Sequence, residues 1–382
     1  MKKLSLMIIF AVLCLAILAG CKNNQNHPDG SHKHSFGEWK TVKQASCTEE
    51  GQKERTCACG EKETVTVPMT THNFVNGVCD KCGAKPSEGL EYTLNSDGKS
   101  YSVSGIGTCT DKDIIIPDTY ENLPVTQIAD YAFIFCTELT SITIPSSVTS
   151  INGWAFYHCT GLTSINVDSK NTQYHSVNNC LIETASKILI AGCKNSVIPD
   201  DGSVTNIGSE AFYNCAGLTN ITLPNNVTNI GNFAFSGCTG LTNITIPKNV
   251  TNIGVRAFDG CTGLTSINVD SQNSQYHSVD NCLIETASKT LIAGCKNSVI
   301  PDDGSVTSIG WSAFSGCTGL TSITIPDSVT SIGDSAFLNC DGLTTITFKG
   351  NKEQWNAIQK GDYWDYDTGE YVIHCTDGDI TK

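Results

Sequence analysis

One phrase, Ala-Phe-x-x-Cys, recurs along this chain and constrains its fold more than any other feature. It stands at Ala155-Phe156, Ala211-Phe212, Ala234-Phe235, Ala257-Phe258, Ala313-Phe314 and Ala336-Phe337, with a less regular copy at Ala132-Phe133. Successive copies lie 23, 56, 23, 23, 56 and 23 residues apart. A unit this short cannot bury its apolar face alone, so a fixed period in the twenties implies a solenoid whose units stack on one another.

The letters around the phrase describe one coil. In Leu139-Thr140-Ser141-Ile142-Thr143-Ile144-Pro145, Ile142 and Ile144 alternate with polar residues, so they point to one side of a β-strand, and Pro145 ends it for want of an N–H. Val148 to Gly153 supplies a second short extended piece, and Ala155-Phe156 and Cys159 follow at the spacing of one helical turn. Taking Ile116, Ile144, Val167, Ile198, Leu223, Ile246, Val269, Ile300, Ile325 and Phe348 as equivalent gives ten coils, and the 56-residue gaps become steps of 31 and 25. At about 4.8 Å between neighbouring strands, their parallel sheet would run roughly 45 Å. The expected fold is therefore mainly β with short helical turns. Each 31-residue coil carries an insertion, Cys180 to Ile190 and its near copy Cys282 to Ile292, read as a β-hairpin projecting from one edge. The copies are 102 residues apart, which points to duplication of a whole block.

The N-terminus decides the compartment. Lys2 and Lys3, the apolar run Leu6 to Leu18 and the small residues before Cys21 read as a signal segment, too short to span a bilayer. Leu18-Ala19-Gly20-Cys21 resembles the bacterial lipobox, which implies cleavage after residue 20, acylation of Cys21 and stable attachment to the membrane. Residues 21–31 would form a polar tether. Loss of Lys2 and Lys3 with the leader takes the net charge from −14 to −16. A field of that sign repels nucleic acid and anionic lipid.

Residues 32–86 differ in composition. Cys47, Cys57, Cys59, Cys79 and Cys82 fall there with His32, His34 and His72, and the repeat is absent. A module this small needs a covalent or metal staple. Cys79-Asp80-Lys81-Cys82-Gly83 has the spacing of a zinc knuckle, and Cys57-Ala58-Cys59 is one residue short of it. A structural zinc on Cys57, Cys59, Cys79 and Cys82 follows from spacing, whereas disulfides follow from an extracytoplasmic compartment. The sequence leaves both open. The segment resembles short His/Trp/Cys repeats near the N-termini of bacterial surface proteins, which implies a spacer or binding accessory.

Nothing else in the chain spells chemistry. The cysteines beside Ala-Phe (Cys136, Cys159, Cys215, Cys238, Cys261, Cys317, Cys340) recur too regularly for a redox site and read as buried small hydrophobes. His175 and His277 are copies within the duplicated block, without a nucleophile or second acid at telling spacing. Asp365 to Gly369 starts like a calcium loop but lacks its glutamate, and Asp200 to Ser203 and its copy from Asp302 read as turns. The outward strand positions, such as Thr140, Ser141, Thr143, Asn220, Thr222, Asn243 and Thr245, are uniform and uncharged. The positions flanking Ala-Phe vary freely: Tyr131, Trp154, Tyr157, Tyr213, Phe233, Arg256 and Trp311. Aromatics and arginine are enriched in binding hot spots, so this ridge is the expected partner-binding surface; covering the edge of the core is the competing use.

The recurring pattern Leu-x-x-Ile-x-Ile-Pro-x-x-Val-x-x-Ile-Gly-x-x-Ala-Phe-x-x-Cys resembles the BspA-type leucine-rich repeats of bacterial surface proteins, over residues 113–348. The resemblance implies a parallel solenoid closed by a hairpin over 87–112 and a cap over 349–382. It also implies adhesion: a surface-exposed, non-enzymatic lipoprotein that binds host or bacterial proteins or another surface macromolecule, without cofactor unless the small module holds zinc. A structural spacer of the envelope is the alternative, and an extracellular enzyme ranks below both.

Overall fold

The structure is a computed structural model and describes residues 35–47, 51–67, 74–75 and 78–381. The leader 1–20, Cys21 with the rest of the tether, and His32, His34 and His72 lie outside the described residues. The chain divides into two compact units, 1–85 and 86–382. No helix among the described residues is long and apolar enough to cross a membrane.

In the first unit, Lys40–Lys43, Gly51–Thr56 and Lys62–Val67 form an antiparallel sheet, and Phe74–Val75 pairs with Val78–Cys79. Among its described residues, the buried apolar ones are the cysteines Cys47, Cys57 and Cys79. Arg55 lies over the rings of Phe36 and Trp39 and pairs with Glu63.

The second unit is the solenoid, with three repeating sides. On the first, Ile142, Ile165 and Ile114 meet in a parallel ladder, as do Ile244 with Ile267 and Ile323 with Ile346 and Ile373. On the second, Val103, Ile128 and Ile151 form one run, Leu189, Ile207, Ile230 and Ile253 another, and Leu291, Ile309, Ile332 and Lys360 a third. On the third side, Ala-Phe turns on adjacent coils hydrogen-bond to one another, with Phe212 N–H donating to Ala234 and Phe235 N–H to Ala257. The bonds within these turns run from i+3 to i, as in one helical turn, but left-handed residues before Ala and after Phe stop propagation. The helix Lys352–Ala357, capped by Asn351, is the α-helix of the described residues.

The interior matches the repeat letters. Phe133, Phe212, Phe235, Phe314 and Phe337 are fully buried, with the rings of Phe212 and Phe235 stacked at 5.2 Å and those of Phe235 and Phe258 at 5.7 Å. The outward threonines link the coils, since Thr163, Thr242, Thr265 and Thr344 each pass their hydroxyl hydrogen to a backbone carbonyl one coil back. Polar letters that recur in register therefore hold coil to coil.

Two features differ from the sequence expectation. Trp355, Ile358 and Trp364 belong to a completed tenth coil: Gln359–Lys360 extends the second ladder, Phe337 N–H donates to Trp364, and Val372–Cys375 adds a further strand to the first ladder. Gly378–Thr381 then pairs with that strand in antiparallel fashion and is the terminal strand of the ladder. The hairpins, moreover, do not project. Cys180, Leu181 and Ile182 are fully buried, because the strand Cys180–Glu183 lies between two blocks of core: Leu181 packs into the preceding one, and Cys180 and Ile182 into the following one. Alternate side chains of a strand point to opposite faces, and here both faces are covered. Cys282–Glu285 repeats the arrangement.

Candidate functional site

The hairpin coils interrupt the third side. An ordinary coil passes from Ile207 to Leu223 through Ala211-Phe212, whereas the hairpin coil passes from Leu189 to Ile198 in seven fewer residues and carries no Ala-Phe. Ala155-Phe156 and Ala211-Phe212 are thereby left without a stacked neighbour between them, and the same gap opens between Ala257-Phe258 and Ala313-Phe314. The Phe212 ring tucks over Gly192, where a Cβ would stand 2.1 Å from its Cε1, and Phe314 does the same over Gly294. Two equivalent clefts result. The first, of about 270 Å³, is lined by Trp154, Tyr157, Glu210 and Tyr213, and the second, of about 160 Å³, by Arg256, Asp259, Trp311 and Ser312.

Freed backbone groups at the break find side-chain partners. The Ile151 N–H, at the end of its ladder run, donates to the Tyr174 hydroxyl at 3.0 Å, and Ile253 donates to Tyr276 at 3.1 Å. Ser176 and Ser278 accept from the Val167 and Val269 N–H groups in the same way. The Tyr-His-Ser runs around His175 and His277 are thus mainly ladder caps, and each histidine contacts a threonine, Thr184 or Thr286. Asp365, the start of the calcium-like run, accepts from the Tyr371 hydroxyl.

The seven ridge residues fall into two groups, one over each cleft. Tyr131, Trp154, Tyr157 and Tyr213 form a continuous aromatic patch with centroid separations of 5.1, 5.9 and 4.5 Å. Phe233, Arg256 and Trp311 form the other, with the guanidinium 6.0 Å from the Phe233 ring and 5.3 Å from the Trp311 ring. Tyr131, Trp154 and Trp311 are about half exposed. Tyr131, Trp154, Phe233 and Arg256 have φ between 54° and 60°, a region costly for bulky residues. That conformation aims the backbone N–H of Tyr131 and Phe233 at the next coil. It holds whatever residue stands there at the rim of the turn.

Sequence reasoning missed Glu210, which stands just before Ala211 at that same left-handed position with φ 61°. Its Oε2 is closed off from solvent and has no hydrogen-bond partner. Burial pushes its carboxyl above the usual carboxylate range, against the pull of the Trp154 indole N–H. Tyr157 is pushed up to about 12 by burial, by its bond with Tyr213 and by the neighbouring Glu210. Comparison of residues 102 apart would have flagged the position: Glu210 corresponds to Ser312.

The repeat cysteines are packed into the core and bonded. Cys159, Cys238, Cys261 and Cys340 each direct the thiol to the phenylalanine carbonyl of the previous Ala-Phe turn, at 3.1 Å in all four cases. Burial lifts Cys159, Cys261 and Cys340 to about 12, so they hold little reactive thiolate at neutral pH.

In the first unit, Cys47, Cys79 and Cys82 bring their sulfurs within 4.8 Å of one another. Cys79 to Gly83 makes a tight turn: the Gly83 N–H donates to the Cys79 carbonyl at 2.9 Å, and Gly83 has φ 73°. Cys57 and Cys59, expected beside Cys79 and Cys82, are not members of this group. Cys57 bridges instead to Phe36, and Cys47 takes the place beside the Cys79 to Gly83 turn.

No curated protein matches the chain. Among solved structures, a leucine-rich cell surface protein from Faecalibacterium prausnitzii is 26% identical, with a TM-score of 0.42 and a match covering 73% of this chain and 98% of that one. A leucine-rich repeat protein from Eubacterium ventriosum is 22% identical (TM-score 0.42; 77% and 98% covered), and the pneumococcal vaccine antigen PcpA is 19% identical (TM-score 0.45; 80% and 88% covered). The model of the BspA type leucine rich repeat region matches six copies, over residues 107–188, 191–292 and 291–360. With more than half of its length in that match, the chain belongs to the BspA-type leucine-rich repeat family.

Proposed function

We propose that this chain is a non-catalytic surface protein, held to the bacterial envelope by an acylated Cys21, whose solenoid binds another macromolecule through the ridge beside the Ala-Phe turns. One observation carries the reading: the side chains that vary from coil to coil gather into two exposed aromatic patches, while the polar side chains that recur are engaged with the chain's own backbone. Residues that only covered the core edge would need no clustering at the two ladder breaks. The family is one of surface repeat proteins, and the net charge of −14 favours a protein partner over nucleic acid. The test is binding of the labelled full chain to intact cells. Saturable binding, displaced by unlabelled chain and weakened about tenfold or more by the Trp154→Ala/Trp311→Ala pair with unfolding unchanged, supports the ridge. Binding that never saturates supports the spacer reading. Cys21→Ser should release the chain from the membrane fraction.

For the small module, the three sulfurs of Cys47, Cys79 and Cys82 suit a tetrahedral thiolate site better than the set first expected from spacing. We infer a structural zinc held by these three with a fourth ligand. Zinc near one equivalent in the purified chain, lost in Cys47→Ser, is the expected result; zinc below a tenth of an equivalent with the three thiols oxidised sinks it.

A further inference from the structure

The two clefts are copies whose frames have stayed the same while their rims have diverged. Between 160–208 and 262–310 the differences are Lys170/Gln272, Thr172/Ser274, Asn178/Asp280, Ile188/Thr290 and Asn206/Ser308. Across the short turns that rim the clefts, substitution is dense: Trp154 faces Arg256 in the alignment, Tyr157 faces Asp259, Ser209 faces Trp311, Glu210 faces Ser312, and Tyr213 faces Ser315. Backbone and hairpin are kept, and rim chemistry is not.

The second cleft contains its own cation. Arg256 lies over Trp311, donates from Nε to the Ser312 hydroxyl at 2.9 Å, and stands 4.0 Å from the Asp259 carboxylate. A guanidinium over a ring with a carboxylate beside it is a stable pairing. The Gly260 N–H also reaches across the break to the Ser315 carbonyl, and the cleft is the smaller of the two. The first cleft has the complementary parts without the cation. Trp154, Tyr157 and Tyr213 supply the rings, and Glu210 supplies a carboxylate oxygen with no partner.

We propose that the first cleft receives the guanidinium of an arginine side chain carried by a partner protein, and that the second is the same frame closed by the chain's own Arg256. This rests on the ridge as the binding surface and names the chemistry of what it recognises. Guanidinium would stack on Trp154 or the Tyr157–Tyr213 pair and, once the Glu210 side chain turns its enclosed Oε2 towards the cleft, donate to it, replacing the lost hydration of both charges. The acidic balance of the chain favours the approach of a basic partner.

The test is ligand-observed NMR titration of the full chain with a capped Gly-Arg-Gly peptide and with the same peptide carrying neutral citrulline. The expected result is saturable binding of the arginine peptide, at least about tenfold weaker for citrulline and for Glu210→Gln, since charge-assisted hydrogen bonds contribute on that scale. Trp154→Arg places in the first cleft the residue that its copy already carries at nearly the same φ, so it should fold and abolish binding by filling the cleft. Equal binding of the citrulline peptide, binding undiminished by Glu210→Gln, or no saturation with a chain that unfolds cooperatively would overturn the proposal. Failure of the ridge reading looks different: the peptide still binds, while cell binding does not saturate. Saturable cell binding untouched by Trp154→Arg leaves the ridge standing and removes the arginine receptor.

Discussion

At the scale of single residues, burial favours the neutral form of both Glu210 and the ladder cysteines, with different consequences. The folded state raises the Glu210 carboxyl, so the stability tied to its neutral form is fully present below its unfolded value and is lost as pH rises through the folded one. Glu210→Gln should therefore raise the unfolding temperature at pH 8 and leave it unchanged near pH 3, while reducing arginine-peptide binding. A higher melting point joined to weaker binding marks a residue kept for recognition and not for packing. The thiols behave differently, because each is bonded and apolar in its surroundings. Cys238, fully buried with its Sγ on the Phe212 carbonyl, should resist iodoacetamide in the native chain and react on denaturation. Cys238→Ala should cost about 1–2 kcal/mol by chemical denaturation, mainly from the cavity, since the Phe212 carbonyl still accepts from the Cys215 N–H.

At the scale of elements, the two hairpin coils are what turn a uniform array into one with sites. The break needs caps, and Tyr174 is one of them. Tyr174→Phe should leave the hairpin packed but free the Ile151 N–H, speeding its amide exchange and costing about 1–3 kcal/mol; the reading fails if exchange at Ile151 is unchanged. The strands around the break were legible in the sequence because Ile142 and Ile144 alternate with polar residues and Pro145 stops them. The hairpin's position was not legible. Cys180-Leu181-Ile182 is a continuous apolar run, and periodicity cannot tell a strand buried on both faces from one packed on a single face at an edge. The last parallel strand, Val372–Cys375, escaped notice for another reason: the helix Lys352–Ala357 displaces the repeat letters that announce the others. The ridge was visible as variation among fixed letters, and Tyr131, Trp154, Tyr157 and Tyr213 do come together. What no single coil could show was which variable letters face a gap, since that depends on a shortened turn two coils of sequence away.

At the scale of the whole molecule, duplication explains why one chain holds an open and a closed version of the same cleft. A solenoid tolerates such copying because each coil touches only its neighbours, so a block can be added or removed in register without disturbing the rest. Residues 160 and 262 begin the same Thr-Gly-Leu-Thr-Ser run, and deletion of 160–261 would join Cys159 to Thr262 in an unchanged frame. The shortened chain should fold as a solenoid with one hairpin coil, retaining its β circular dichroism per residue and unfolding at a lower temperature because fewer interfaces contribute. Its single cleft would combine Trp154 and Tyr157 with Trp311, Ser312 and Ser315, which keeps aromatic rings but removes Glu210 and Tyr213. It should therefore fail to bind the arginine peptide, and Ser312→Glu in the shortened chain should restore binding. Folding without rescue would mean that the carboxylate is not the deciding group, whereas failure to fold would show that the two blocks are coupled beyond nearest neighbours.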